Sequence, residues 1–168
     1  TSADARISNT ANLSGQRAIM SAGTGSMTVL NSGNLTGTYA VFDGGGSGVN
    51  KFTSIAGNLK GDLLFEGSEG ELYLSGGSLA GSVLMGKGKD TVTLAGTVGL
   101  SQALIFDGGK NRGTADPGSG TIIPALPDED VLNVDGLLVR GFTSASNDKT
   151  GNDLSKGSNI TGWETINV

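Results

Sequence analysis

Short apolar runs recur along the chain at nearly constant spacing: Ala18-Ile19-Met20, Ala40-Val41-Phe42, Leu63-Leu64-Phe65, Val83-Leu84-Met85 and Leu104-Ile105-Phe106. The first four follow variants of one element: Asn12-Leu13-Ser14-Gly15, Asn34-Leu35-Thr36-Gly37, Asn58-Leu59-Lys60-Gly61 and Ser78-Leu79-Ala80-Gly81. Their glycines return once every roughly 20 to 24 residues, the scale of one structural repeat. Asn159-Ile160-Thr161-Gly162 is a further variant of this element. Between these blocks Leu72-Tyr73-Leu74, Val92-Thr93-Leu94 and Val131-Leu132-Asn133-Val134 alternate apolar with polar residues, the period of a half-buried strand. A glycine stands two places before the apolar residue of each third strand, as in Gly33 and Leu35, Gly57 and Leu59, Gly77 and Leu79, Gly96 and Val98, and Gly136 and Leu138.

Three short strands in a repeat of about 20 to 24 residues leave no room for helical crossovers, so the pattern predicts one turn of a parallel solenoid per repeat. The expected fold is all-β: a right-handed parallel β-helix of five to six coils, with neighbouring strands about 4.8 Å apart. No helix is expected. The core is expected to contain Leu64, Phe65, Leu72, Leu74, Leu79, Leu84, Met85, Val92, Leu94, Val98, Leu104 and Phe106. Asn34 and Asn58 are placed to stack as an amide ladder at a corner. Residues 1–168 read as one β-helix fragment of a larger protein. The period fails after Phe106, and Pro117, Pro124 and Pro127 exclude an interior strand across residues 108–127,. A second polar stretch covers residues 142–158, and the enlarged last coil closes at Asn159 to Gly162.

Composition narrows the chemistry. Thirty glycines and 5% aromatic residues suit turns and short strands rather than helices,. With no His and no Cys, the usual general base, the commonest metal ligand, thiolate catalysis and disulfides are all missing. A net charge of −5 and a pI near 4.5 oppose nucleic acid and anionic membranes,. No apolar run in the chain approaches the length that a bilayer-spanning helix needs,. The turns Asp43-Gly44-Gly45-Gly46-Ser47-Gly48 and Gly86-Lys87-Gly88-Lys89-Asp90 echo calcium-binding nonapeptides. Those nonapeptides work in tandem, whereas these turns belong to a repeat more than twice as long and the second carries lysines, so neither metal nor cofactor is expected. Asp43 and Glu66 occupy equivalent places in adjacent repeats and form the acid pair of a rival reading, a carbohydrate-active enzyme. Gly86 at the next equivalent place interrupts that pair. The run Asp128-Glu129-Asp130 reads as a solvated edge. Tyr39, Tyr73 and Trp163 are the candidates for sugar-stacking faces, but Tyr73 is an isolated outward residue in the alternation, and one aromatic does not make a platform.

Taken together these motifs resemble the β-helical passenger regions of type V secreted autotransporters, large surface proteins of Gram-negative bacteria. The resemblance rests on the Asn-Leu-x-Gly coil starts, the Phe-Asp-Gly-Gly turns at Phe42 and Phe106, and the closing segment from Asn159 to Val168. It spans roughly residues 12–168. It implies a non-enzymatic adhesive or structural rod, cell-surface, outer-membrane or secreted, that contacts a host-cell or matrix protein, a glycan or other passengers. A purely structural spacer is a third reading. The two excursions abandon the repeat, and they supply the candidate partner-binding residues Lys110, Arg112 and Asp116 in the first and Asp148, Lys149 and Asp153 in the second,.

Overall fold

The computed structural model describes residues 4–43, 48–67, 69–95, 97–100, 105–109, 114–115, 122–123, 129–134 and 159–167. Among these residues the chain is all β, with eighteen strands and no helix. Seven strands form one sheet in chain order: Ala5–Asn9, Met27–Asn31, Val49–Ser54, Glu69–Leu74, Thr91–Leu94, Val131–Val134 and Thr165–Asn167. Every neighbouring pair in it is parallel. The nine-stranded second sheet takes Leu13–Ser14, Arg17–Ser21, Leu35–Asp43, Asn58–Phe65, Ser78–Ala80, Val83–Leu84, Gly99–Leu100, Ile105–Asp107 and Asn159–Thr161. Because each strand of the first sheet is followed by one or two strands of the second before the chain returns to the first, the chain winds as a parallel β-solenoid. About four turns follow one another from Ala5 to Leu84, and both ladders continue beyond them. At about 4.8 Å per strand, the first sheet rises about 29 Å.

Two of the three strands anticipated in each turn share one sheet. They are separate as Leu13–Ser14 and Arg17–Ser21, and they merge in Leu35–Asp43 and Asn58–Phe65. The register between those two long strands shifts between Thr36 and Tyr39 and again between Tyr39 and Val41, which marks the bend,.

The interior is built from in-register columns. Val29, Phe52, Leu72, Val92 and Leu132 form one, facing Leu35, Leu59 and Leu79 and the column Ile19, Val41, Leu63, Val83 and Phe106. All are buried. Of the anticipated core, Phe65, Leu72, Leu74, Leu79, Met85, Val92, Leu94, Val98 and Phe106 are buried. Leu64 and Leu84 are not. Each is only partly buried and occupies the outward phase, because the flanking Leu63 and Phe65, and Val83 and Met85, take the two inward places and side chains alternate along a strand. Leu104 lies outside the described residues.

The recurring glycines have a steric cause. A Cβ at Gly37, Gly61 or Gly81 would collide with the carbonyl oxygen of the glycine one turn earlier, Gly15, Gly37 or Gly61 respectively. A second column behaves alike, with Gly33, Gly57 and Gly77 against Ala11, Gly33 and Gly57. Backbones at these bends approach so closely that only hydrogen fits. The match of Gly96 and Val98 to the series does not carry into register, since Leu100 and not Val98 lies beside Leu79.

The ladders close over both excursions. Thr91–Leu94 pairs directly with Val131–Val134, and Ile105–Asp107 with Asn159–Thr161. Asn159-Ile160-Thr161 therefore continues the column of apolar runs rather than the Asn-Leu-x-Gly starts that it resembles. The path from Ile105 to its partner Asn159 is more than twice as long as that from Leu63 to its partner Val83, so both excursions fall within a single step of that ladder. Inside the first excursion Thr114–Ala115 and Ile122–Ile123 form a separate antiparallel pair.

Candidate interaction surface

Inward placement of Phe52, Leu72, Val92 and Leu132 turns the alternate positions of the first sheet toward solvent. Two columns result: Thr28, Lys51, Glu71, Thr91, Val131 and Thr165 in one, and Leu30, Thr53, Tyr73, Thr93, Asn133 and Asn167 in the other. Lys51 Nζ donates to both carboxylate oxygens of Glu71, at 2.7 and 2.8 Å. Asn167 Nδ2 donates to Asn133 Oδ1 at 2.7 Å, and Asn133 Nδ2 to Thr93 Oγ1 at 3.3 Å. Around Tyr73, which is 41% exposed, lies an open groove of about 230 Å³ lined by Lys51, Thr53, Glu71, Thr91 and Thr93.

Polar ladders also run along the edges of the sheets. On the outside, Asn34 Nδ2 donates to Asn12 Oδ1, the Asn58 backbone N–H to Asn34 Oδ1, and Ser78 Oγ to Asn58 Oδ1, each at 2.7 Å. The anticipated stacking of Asn34 and Asn58 is met in part: the two are joined through the Asn58 backbone N–H, and the pair of side-chain amides is Asn34 with Asn12. A second, buried ladder was not anticipated: Asn9 Nδ2 donates to Asn31 Oδ1 at 2.7 Å, and Asn31 Nδ2 contacts Ser54 Oγ at 3.1 Å. The same three side chains also donate to the carbonyls of Ala11, Gly33 and Ala56, two places downstream of each. Its signal in the sequence is a small polar residue two places after an inward Ile7, Val29 or Phe52.

A third column joins buried backbone amides to acids and an amide side chain of the following turn. Asn50 Oδ1 accepts from Met27 N–H, Asp90 Oδ1 from Gly70 N–H, Asp130 Oδ1 from Asp90 N–H, and Glu164 Oε2 from Asp130 N–H. The solvated edge anticipated at Asp128 to Asp130 is thus divided. Asp130 is buried, because it satisfies an interior amide of the preceding turn, while exposed Glu129 accepts from Lys89 Nζ at 2.7 Å. That hydrogen bond and the attached charges raise the Lys89 pKa and lower that of Glu129.

The six candidate partner-binding residues, Lys110, Arg112, Asp116, Asp148, Lys149 and Asp153, all lie outside the described residues. The acid pair of the enzymatic reading does not assemble. Asp43 is in register with Phe65, not Glu66; it is 1% exposed and accepts from Asn50 Nδ2 at 2.7 Å, whereas Glu66 faces solvent. Trp163 is no open sugar platform: its ring packs on the core and its Nε1 donates to the Phe106 carbonyl at 3.0 Å. Among the described residues no three acids converge to hold a metal ion.

Compared with known proteins, the chain matches no family model, no curated protein and no solved structure; its β-solenoid architecture and its surfaces carry the functional reading.

Proposed function

We propose that this chain is a rigid rod segment of a surface-displayed bacterial autotransporter passenger, and that the rod acts in adhesion by presenting its faces and excursions to a host-cell or matrix protein, a glycan or another passenger. The observation that carries the reading is the pair of continuous parallel ladders. Each turn is a template for the next, and the interior between them is filled by stacked apolar side chains and hydrogen-bonded polar ladders. Such a solenoid extends by repetition and keeps its binding surface at a distance from an anchoring point. The sequence motifs that resemble autotransporter passengers lie in the bends and strands that build these ladders.

Catalysis by stacked carboxylates has less support, since the Asp43 carboxylate is enclosed and bonded to Asn50. The test is to express the full-length protein in a bacterial host, label intact cells with an antibody to this segment, and measure adhesion to epithelial cells and matrix-coated surfaces. Surface labelling with adhesion that falls when residues 110–127 are replaced by a short Gly-Ser linker supports the reading. Labelling without adhesion reduces the segment to a spacer. Release of reducing sugar from a polysaccharide panel overturns the reading in favour of the enzyme.

A further inference from the structure

We infer that the groove around Tyr73 is a subsite for a neutral glycan, a proposal that narrows the partner class of the adhesive reading and rests on it. Tyr73 projects from a central strand of the first sheet, and its two column neighbours are Thr53 and Thr93. Threonine is too short to cover a phenol ring, so the ring stands above its surroundings and remains 41% exposed. An aromatic side chain with an apolar ring and a polar tip suits a sugar, which offers a C–H face together with hydroxyls. The hydroxyls of Tyr73, Thr53 and Thr91 take no hydrogen-bond partner among the described residues, so three groups that both donate and accept border the groove.

Charge decides between ligand classes. The groove holds one cation and one anion, Lys51 and Glu71, and they are engaged with each other in a two-pronged contact at 2.7 and 2.8 Å. An acidic or basic ligand finds each charge already countered by the other, whereas a neutral ligand exchanges hydrogen bonds with the rim and leaves the pair intact. A peptide added as an extra strand is excluded here, because Glu69–Leu74 is already paired on both sides,. The site is also preorganised. All its residues stand on laddered strands, so little ordering cost accompanies binding. The polar column continues along the rod through Thr93, Asn133 and Asn167 at one side chain per strand step of about 4.8 Å,. A polysaccharide lying along the rod axis meets a new hydrogen-bonding group at every step.

The experiment titrates the intact chain with neutral oligosaccharides of glucose, galactose and N-acetylglucosamine while the ring signals of its two tyrosines, Tyr39 and Tyr73, are followed by NMR. At least one series is expected to shift Tyr73 and leave Tyr39 unmoved. Tyr73→Ala is expected to weaken that binding at least tenfold with an unchanged melting temperature, and Tyr73→Phe to retain most of it. Unchanged affinity in Tyr73→Ala, or no sugar that moves Tyr73, overturns the subsite. If no sugar moves Tyr73 while cells displaying the protein still adhere, the subsite is wrong and the adhesive reading stands. Sugar binding at Tyr73 without adhesion by displaying cells leaves the subsite standing and removes the adhesive reading.

Discussion

One inner edge of the first sheet is lined differently at its two ends. In the first three turns the position is Asn9, Asn31 and Ser54; in the following turns its register partners are Leu74, Leu94 and Val134. The amide ladder is a chain of mutual obligations, since each side chain satisfies the next and also a carbonyl two places on. The leucine column stabilises by burial alone, so each rung depends on its neighbours only through packing. At the other edge polarity reverses: Met27 in the early turns gives way to Asn50 and then to the buried Asp90 and Asp130. The same backbone ladder therefore accepts either an apolar or a hydrogen-bonded filling, provided that the filling matches turn by turn.

The largest expected effect separates a tight bend from a roomier one. Gly61 has φ of +123° and no room for a Cβ beneath Gly37, whereas the atom nearest to a Cβ at Gly99 is 3.5 Å away, an ordinary contact. Gly61→Ala is expected to cost about 4–6 kcal/mol through overpacking and backbone strain. Gly99→Ala should be neutral or slightly stabilising through the unfolded chain, by about 0.5 kcal/mol. Denaturant melts of the two variants compare them directly, and equal losses would mean that the bends do not stack as described.

Next in size is an exchange of fillings. Leu94→Asn puts an amide where Leu74 and Val134 offer it no partner and should cost about 3–5 kcal/mol. Asn31→Ala leaves the Asn9 amide and the Gly33 carbonyl without their partner and should cost about 1–3 kcal/mol. If Asn31→Ala proved neutral in urea unfolding, the ladder would be incidental. Comparable tolerance of Leu94→Asn would show that the two ends do not differ.

The sequence conveyed the architecture because the repeat is imposed by the backbone itself. Glycines recur where turns touch, and apolar runs recur where strands face inward. Phase was harder to read. In a run of three apolar residues alternation lets only one phase face inward, and naming Leu64 beside Phe65 and Leu84 beside Met85 mixed the two; Phe65 and Met85 are the inward members. Asn159-Ile160-Thr161-Gly162 imitates an Asn-Leu-x-Gly start, yet the long stretch of chain since Ile105 hides which column it rejoins. Asn31 and Asp130 look like surface residues by type, and only the register shows that each has a buried partner one turn away. The Tyr73 groove was half visible: alternation turned the ring outward, but the threonines and the lysine around it come from the strands one turn to either side.

The smallest expected effect belongs to the Lys89–Glu129 pair, which joins turns across the first excursion. The Glu129 pKa is lowered, so its contribution is present above the ordinary carboxylate range and is lost as pH falls through that lowered value,. The Lys89 pKa is raised, so the contribution persists below the ordinary lysine range and is lost as pH rises through the raised value. Both groups are fully solvated, so Glu129→Gln should only slightly flatten the acid side of a stability–pH profile. A large change there would assign the pair a structural role that its exposure does not support.

The central claim is that successive turns stack in parallel and in register, even across the first excursion. The chain contains no cysteine, so introduced pairs report on the register alone. Thr91 and Val131 are outward-facing register partners that stand on either side of that excursion in the sequence, within the Cα separation of about 4.4–6.8 Å that a disulfide spans. Thr91→Cys with Val131→Cys is expected to cross-link readily under mild oxidation and to keep the native melt. Glu71→Cys with Val131→Cys, two strand steps or about 10 Å apart, is expected not to cross-link. If the first pair stayed reduced while the second closed, the stack described here would be wrong.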